Sequence, residues 1–401
     1  MVTLNQLKPL LSTERLKKLA IAHKVNARNQ IRLPGEAVFI CLLNGLLNHE
    51  ELTQRVLEET YTKQTGQHAD HSSFGKRLKR LPAAYFADIY NDLYQKIAPQ
   101  ATPGERRALR LRWVDATLVT LSSKLMSFGL SSGTRKGSGS HKTVKTVWEV
   151  QENGLPHYLC KQQSESSDSV ALGGTMTTHA KEGDLFIFDK GCKSRQRLRE
   201  LSVRHAFFLT PHAHQGLRIS QEVFCATTPH LPSHPPQKDE VPFVVLRAEL
   251  GVFASPSLAC ESPSGWEDLP LVLIHGSRYD SRTKKWTPIT LMTNLAYDAE
   301  TKLCGGFSFE QLMEVYRRRW DIEIHFKFLK QHLSYDHLTS RCENGIEVMI
   351  YMSLIAAVLL IWFQRQTGID RGWRSVKFWL ADAVRYWTEQ ALLEALHPLR
   401  C

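Results

Sequence analysis

The stretch YRRRWDIEIHFKFLKQHL, Tyr316 to Leu333, sets two carboxylates among three consecutive arginines, two histidines and two lysines. Its spacing predicts one continuous helix beginning at Phe309. At about 100° per residue, with Tyr316 as zero, Arg319, Glu323, Lys327 and Lys330 fall at about −60°, −20°, +20° and −40°. That is a single arc mixing one acid with three bases. Val315, Ile322, Phe326, Leu329 and Leu333 cluster at about −80° to −140°, the apolar stripe that must face a core. Asp321 projects at about +140°, away from both. Geometry therefore separates the two acids: Glu323 borders the buried stripe at the edge of a cleft, and Asp321 is expected to be a solvent-side ion partner.

Around this helix the 401-residue chain is long enough for two or three compact units. It carries a net charge of +11, which favours a polyanionic partner, nucleic acid being the commonest. The eight cysteines are scattered with no Cys-x-x-Cys pair, which argues against a zinc site or a disulfide framework and for a reducing interior. The N-terminal MVTLNQLKPLLSTERLKKLA reads as an amphipathic helix without the apolar run of a signal peptide. Val348 to Phe363 is sixteen nearly unbroken apolar residues. A membrane span needs about twenty, so a core helix buried on all sides is expected and no membrane partner.

Residues 1 to about 100 read as all helix. Within them HSSFGKRLKRLPAAYF places Ser72 or Ser73 as an N-cap ahead of Lys76, Arg77, Lys79 and Arg80. A short capped basic helix of this kind suits either a helix-turn-helix reader of DNA or a solvated basic face. ATPGERRALR serves as a linker, and strands follow: LRWVDATLVTLS, TVKTVWEVQ and LPHYLCKQQS as a three-stranded meander, then a short helix from Asp168, the buried strand LFIFDKG, the helix KSRQRLRELSVR and the strand HAFFLTPHA. The Gly/Ser-rich FGLSSGTRKGSGSHK fails the spacing of a phosphate loop and is read as a hairpin connection. Residues 215 to 290 are proline-rich and strand-like, and the chain ends in helices with a Trp-rich tail (Trp373, Trp379, Trp387).

Two more acids stand out. Asp115 interrupts the apolar run RWVDATLV, where a carboxylate needs a base, donors or a metal; a structural ion pair and a functional site both satisfy this. Asp189 ends LFIFDKG, where turn chemistry is ordinary, yet ligands bind beyond the carboxyl ends of strands in open sheets.

Tyr316, Arg319, Glu323 and Lys330, at fixed offsets, resemble the Tyr-Arg-Glu-Lys signature of bacterial insertion-sequence transposases of the "IS four" type. LMTNL before the helix and HSSFGKRLKRLPAAYF near the N-terminus also look like that family. The resemblance implies a mixed α+β or α/β chain built on an RNase H-like core with an Asp, Asp, Glu triad and a β-rich insertion. Carried onto this sequence, the triad is Asp115, Asp189 and Glu323; 134 positions (323 minus 189) leave room for the insertion. The expected division is a helical DNA-binding unit over 1–105, core segments over 106–214 and 291–364 around an insertion over 215–290, and a helical tail over 365–401. Where the family often has Asp-Arg-Gly-Tyr, this chain has Asp189-Lys190-Gly191-Cys192, losing the aromatic.

An all-carboxylate triad specifies hard cations, Mg²⁺ or Mn²⁺. The resemblance further implies contacts to DNA from Tyr316, Arg319, Lys327, Lys330 and Lys190, and terminal inverted repeats and target DNA as partners. It also implies a homodimer when two ends are held together, a bacterial cytoplasmic setting, and an insertion aromatic (Trp266 or Trp286) beside a flipped base. A DNA-binding protein that has lost catalysis and a nuclease that cuts without strand transfer are the alternatives.

Overall fold

The structure is a computed structural model that describes residues 4–26, 33–98, 109–120, 130–131, 142–162, 168–190, 194–212, 217–226, 231, 235–236, 242–253, 269–333, 342–369 and 372–396. The N-terminal part is helical: α1 (Leu4–Leu7), α2 (Thr13–Ala22), α3 (Gly35–Asn48), α4 (Gln54–Thr65), α5 (His71–Arg80) and α6 (Ala83–Ile97). Then come β1 (Arg110–Thr120), β2 (Leu130–Ser131), β3 (Lys142–Gln151), β4 (Pro156–Gln162), α7 (Asp168–His179), β5 (Asp184–Ile187), α8 (Arg195–Val203) and β6 (Phe207–Pro211). The strands β7 (Leu217–Cys225), β8 (Phe243–Phe253), β9 (Pro270–Asp280), β10 (Lys285–Thr293), β11 (Tyr297–Asp298) and β12 (Leu303–Cys304) follow. The chain closes with α9 (Phe309–Arg317), α10 (Arg319–His332), α11 (Glu343–Thr367) and α12 (Trp373–Leu396).

One large sheet organises the strands, in the order β2-β3-β1-β5-β6-β10-β9-β8-β7, with β4 also on β3. The expected meander is present: β1, β3 and β4 pair antiparallel, while β5 joins β1 and β6 joins β5 in parallel. Strands β7 to β10 extend this same sheet from the far side of β6, and β10 runs through residue 290. Period-2 side-chain alternation sorts each strand between two cores. Leu111, Trp113, Leu185, Ile187 and Leu209 face the cluster completed by α9. Val114, Phe186, Phe188 and Phe208 face the cluster completed by Leu198 and Leu201 of α8.

The apolar helix α11 is buried by protein along its length, against α3, α5, α6, α12 and β4. It is long and apolar enough to cross a membrane, but its apolar surface is already covered. Two sequence expectations change. Asp70, not Ser72 or Ser73, caps α5, its carboxylate accepting the Ser72 N–H at 2.7 Å. The helix expected from Phe309 is two: α9 starts on a Ser308–Gln311 capping box and stops at Arg317, and α10 restarts at Arg319.

Candidate active site

Strand pairing alone brings two of the acids together. β1 and β5 run parallel with Trp113 opposite Ile187. Continuing that register by two residues places Asp115 beside Asp189, both on the face that carries α9, just where β5 ends and the strands part. A carboxyl-end crevice of this kind is where open sheets hold ligands. Glu323 reaches the same place from α10. Asp115 titrates as the neighbour of all three groups around it: burial pushes its carboxyl up to about 6, the Ala116 N–H and the Arg319 guanidinium oppose this, and Glu323 and Asp189 raise it further.

Arg319 is the cation at the centre of the cluster. It is only 4% exposed and its guanidinium pairs with Glu323 at 2.7 Å. Its Nε is buried without a hydrogen-bond partner among the described residues. One guanidinium against three carboxylates leaves an excess of negative charge in a partly desolvated site, and all the donors are hard oxygens. These residues fit a divalent cation of the hard class. A separate group, Glu58, Asp70 and His71, lies on the surface at the α4–α5 turn, where Glu58 and Asp70 cap backbone N–H groups.

Tyr316 departs from expectation. It is 3% exposed, on α9 rather than on the helix of Glu323, with its phenol turned toward Arg319 and Asp189. Burial raises its hydroxyl pKa, so it stays neutral, and a direct contact with DNA is closed to it in this conformation. Asp321 is where the projection put it: half-exposed, 3.9 Å from Arg318, outside the carboxylate cluster.

The helix break at Arg318 is tied to β1. The buried Trp113 indole donates its N–H to the Val315 carbonyl at 2.7 Å, and the Arg318 guanidinium lies 4.6 Å from the Trp113 ring centroid. A buried carbonyl left without a partner costs on the order of 1–3 kcal/mol, so the indole satisfies a group that the broken helix ladder releases.

Comparison with known proteins decides the family. The family model for a transposase DDE domain matches residues 106–359. The chain belongs to the DDE-domain transposases of bacterial insertion sequences. It is 35% identical over 301 residues, 74% of this chain and 68% of the relative, to the probable transposase for insertion sequence element IS5377 of Geobacillus stearothermophilus. It is 25% identical over 302 residues, 74% of this chain and 72% of the relative, to the putative transposase for element IS4SA of Synechocystis. A cryo-EM structure of the piggyBac transposase synaptic complex with hairpin DNA covers 98% of this chain and 82% of that one, at 11% identity and a TM-score of 0.40, too low to bear on the fold.

Of the basic residues expected to meet DNA, this transposase exposes some and buries others. Lys327 and Lys190 are exposed and Lys330 half-buried. On α5, Lys76, Lys79 and Arg80 are exposed, but Arg77 turns inward, donating to the Leu33 and Val25 carbonyls and to Asn26. Arg77 is therefore a structural residue here. Trp286 stacks edge-on against Tyr279, and Trp266, with Gly191 and Cys192, lies outside the described residues.

Sequence reasoning passed over Trp113, and also Trp320. The latter is 42% exposed beside the site, with the Arg278 and Arg319 guanidinium carbons 5.5 and 5.2 Å from its ring centroid. Neither has a sequence signal: a tryptophan in an apolar strand or an amphipathic helix looks like core.

Proposed function

We propose that this transposase moves its element by cut and paste, binding the terminal inverted repeats, freeing their 3′ ends and joining them to target DNA. The observation that carries this is the convergence of Asp115, Asp189 and Glu323 around Arg319 beyond the end of β5. The strand order of β4, β3, β1, β5 and β6 supports an RNase H-like core, with β7 to β10 as the insertion. Divalent metal serves this family; here Asp115, Asp189 and Glu323 would hold Mg²⁺ or Mn²⁺, the hard cations that an all-carboxylate donor set suits.

Bound there, the ions would supply activation of the attacking oxygen and stabilisation of the leaving one. The chain's own residues do the rest. Arg319, fixed by Glu323 and by the Tyr316 ring, keeps a positive charge where substrate phosphate enters among acids. Lys190, Lys327 and Lys330 attract the flanking phosphates, and Lys76, Lys79 and Arg80 supply a second basic face. Cutting two ends calls for a homodimer in the DNA complex, acting in the bacterial cytoplasm at the nucleoid.

Incubation with end-containing DNA, Mg²⁺ and a target plasmid tests the reading. Asp115→Asn and Glu323→Gln should each retain end binding and lower cleavage by at least about 100-fold, as expected when positioned groups are lost from the reacting centre. Cleavage unaffected by either change would sink the triad. Binding without nicking by the unaltered chain would leave a DNA-binding protein, and nicking without joined products a nuclease.

A further inference from the structure

Between Phe309 and Leu333 there is no proline or glycine, yet the helix breaks at Arg318. The interruption is one residue long, Arg318, and keeps helical dihedrals (φ −61°, ψ −10°); interruptions of a helix trace to proline, to glycine or serine pairs, to π-bulges, or to a side chain inserted into the backbone ladder. Only the last is on offer: the Trp113 indole takes the Val315 carbonyl, the group that would accept the Arg319 N–H in an unbroken helix. The break has a consequence for packing. Leu312, Met313, Val315 and Tyr316 of α9 enter the sheet's core, whereas Ile322, Phe326, Phe328 and Leu329 of α10 and Leu333 just after it enter the helical core.

We propose that Trp113 is a positioning residue for the cleavage site, its indole setting the break from which α10 delivers Glu323 to Asp115 and Asp189. Trp113 and Asp115 lie on the same face of β1, roughly 7 Å apart along the strand. The latch and one triad carboxylate therefore share one rigid element. Arg318, seated on the Trp113 ring, closes the latch from the helix side. The break and its neighbours Arg319 and Glu323 are thereby referenced to the strand that carries Asp115. This inference rests on the triad reading above.

Trp113→Phe removes the N–H donor while keeping a ring beneath Arg318, and Arg318→Met removes the guanidinium while keeping the stem. Tyr90→Phe is the matched control, since it deletes a buried hydroxyl that donates to the Pro156 carbonyl at 2.6 Å, in the helical core. Three quantities are measured: end binding by gel shift, single-turnover cleavage against Mn²⁺ concentration, and the rise in Tm that Mn²⁺ gives the DNA-free protein. Trp113→Phe should bind ends normally, cleave about 10- to 100-fold more slowly, need more Mn²⁺, and lose most of the Mn²⁺-induced rise in Tm. Arg318→Met should show the same pattern more weakly, and Tyr90→Phe should keep the full Mn²⁺ response. A full Mn²⁺ response in both Trp113→Phe and Arg318→Met, or an equal loss in Tyr90→Phe, overturns the proposal. If Asp115→Asn and Glu323→Gln also cleave normally, the triad reading falls with it; if they do not, only the role of Trp113 falls.

Discussion

Burial lifts the Asp115 carboxyl from an ordinary 3.8 to about 6, with Glu323 and Asp189 adding to the shift. A carboxyl raised on folding holds its proton more tightly in the native state than in the unfolded one. Its contribution to stability is present below about pH 4 and is lost as pH rises through 6. At pH 7.5 the charged group therefore costs the metal-free fold on the order of 3 kcal/mol. Asp115→Asn should be more stable than the parent in EDTA at pH 7.5 and gain only about a third as much at pH 4.5, measured by urea unfolding at both. An equal difference at the two pH values would show that Asp115 is not held this way. The acid itself was legible because carboxylates are rare inside apolar strands, and Glu323 because helical projection separates it from Asp321. The burial of Arg319 and Tyr316 was not, since the projection assumed one unbroken helix. They flank the interruption where Trp113, some 200 positions earlier in the chain, donates to the Val315 carbonyl.

Elements were read where one physical signal dominates. Short apolar runs gave β1 and β5, and unbroken apolarity gave α11, whose fully buried Leu, Ile, Val and Phe side chains each contribute about 1.5–3 kcal/mol. What such runs leave open is how neighbouring strands are aligned, and a buried charge network ties the strands together here. Asp184 at the start of β5 accepts from Arg110 at 2.8 Å and from Arg112 at 2.6 Å, and Arg112 also donates to Glu149 of β3. These ties cross β3, β1 and β5 at the end of the strands opposite Asp115, and Asp184 and Glu149 are 1% and 2% exposed. Removing one partner of such a network strands a buried charge, at a cost of about 3–5 kcal/mol. Asp184→Asn should therefore lower unfolding free energy by about 3 kcal/mol, the retained amide oxygen keeping the loss near the lower bound. A loss below about 1 kcal/mol in urea titration would mean that packing alone fixes the register.

At the scale of the molecule, the sequence suggests a helical unit ending near residue 105, but the buried core does not divide there. Leu7, the whole interior of α3, and Tyr85 and Leu93 of α6 belong to one cluster with α10, α11 and α12. Sequence contiguity cannot show this, because the helix that fills the core of residues 4–98 lies more than two hundred positions downstream. Polar ties repeat the connection. Asn344, at the start of α11, donates to the Leu78 and Leu81 carbonyls and accepts the Ala83 N–H, spanning the turn between α5 and α6. Asn44 of α3 donates to Thr388 of α12 inside the same core. Fragment 1–105 alone would expose the faces of α3 and α6 that α11 and α12 cover, an apolar surface that isolated helices cannot offset in water. It should therefore lack a cooperative thermal transition by circular dichroism and associate in sedimentation, while the full chain melts with its helical part included. A cooperative, monomeric fragment would instead show that these helices carry a core of their own and could hold DNA without the catalytic body.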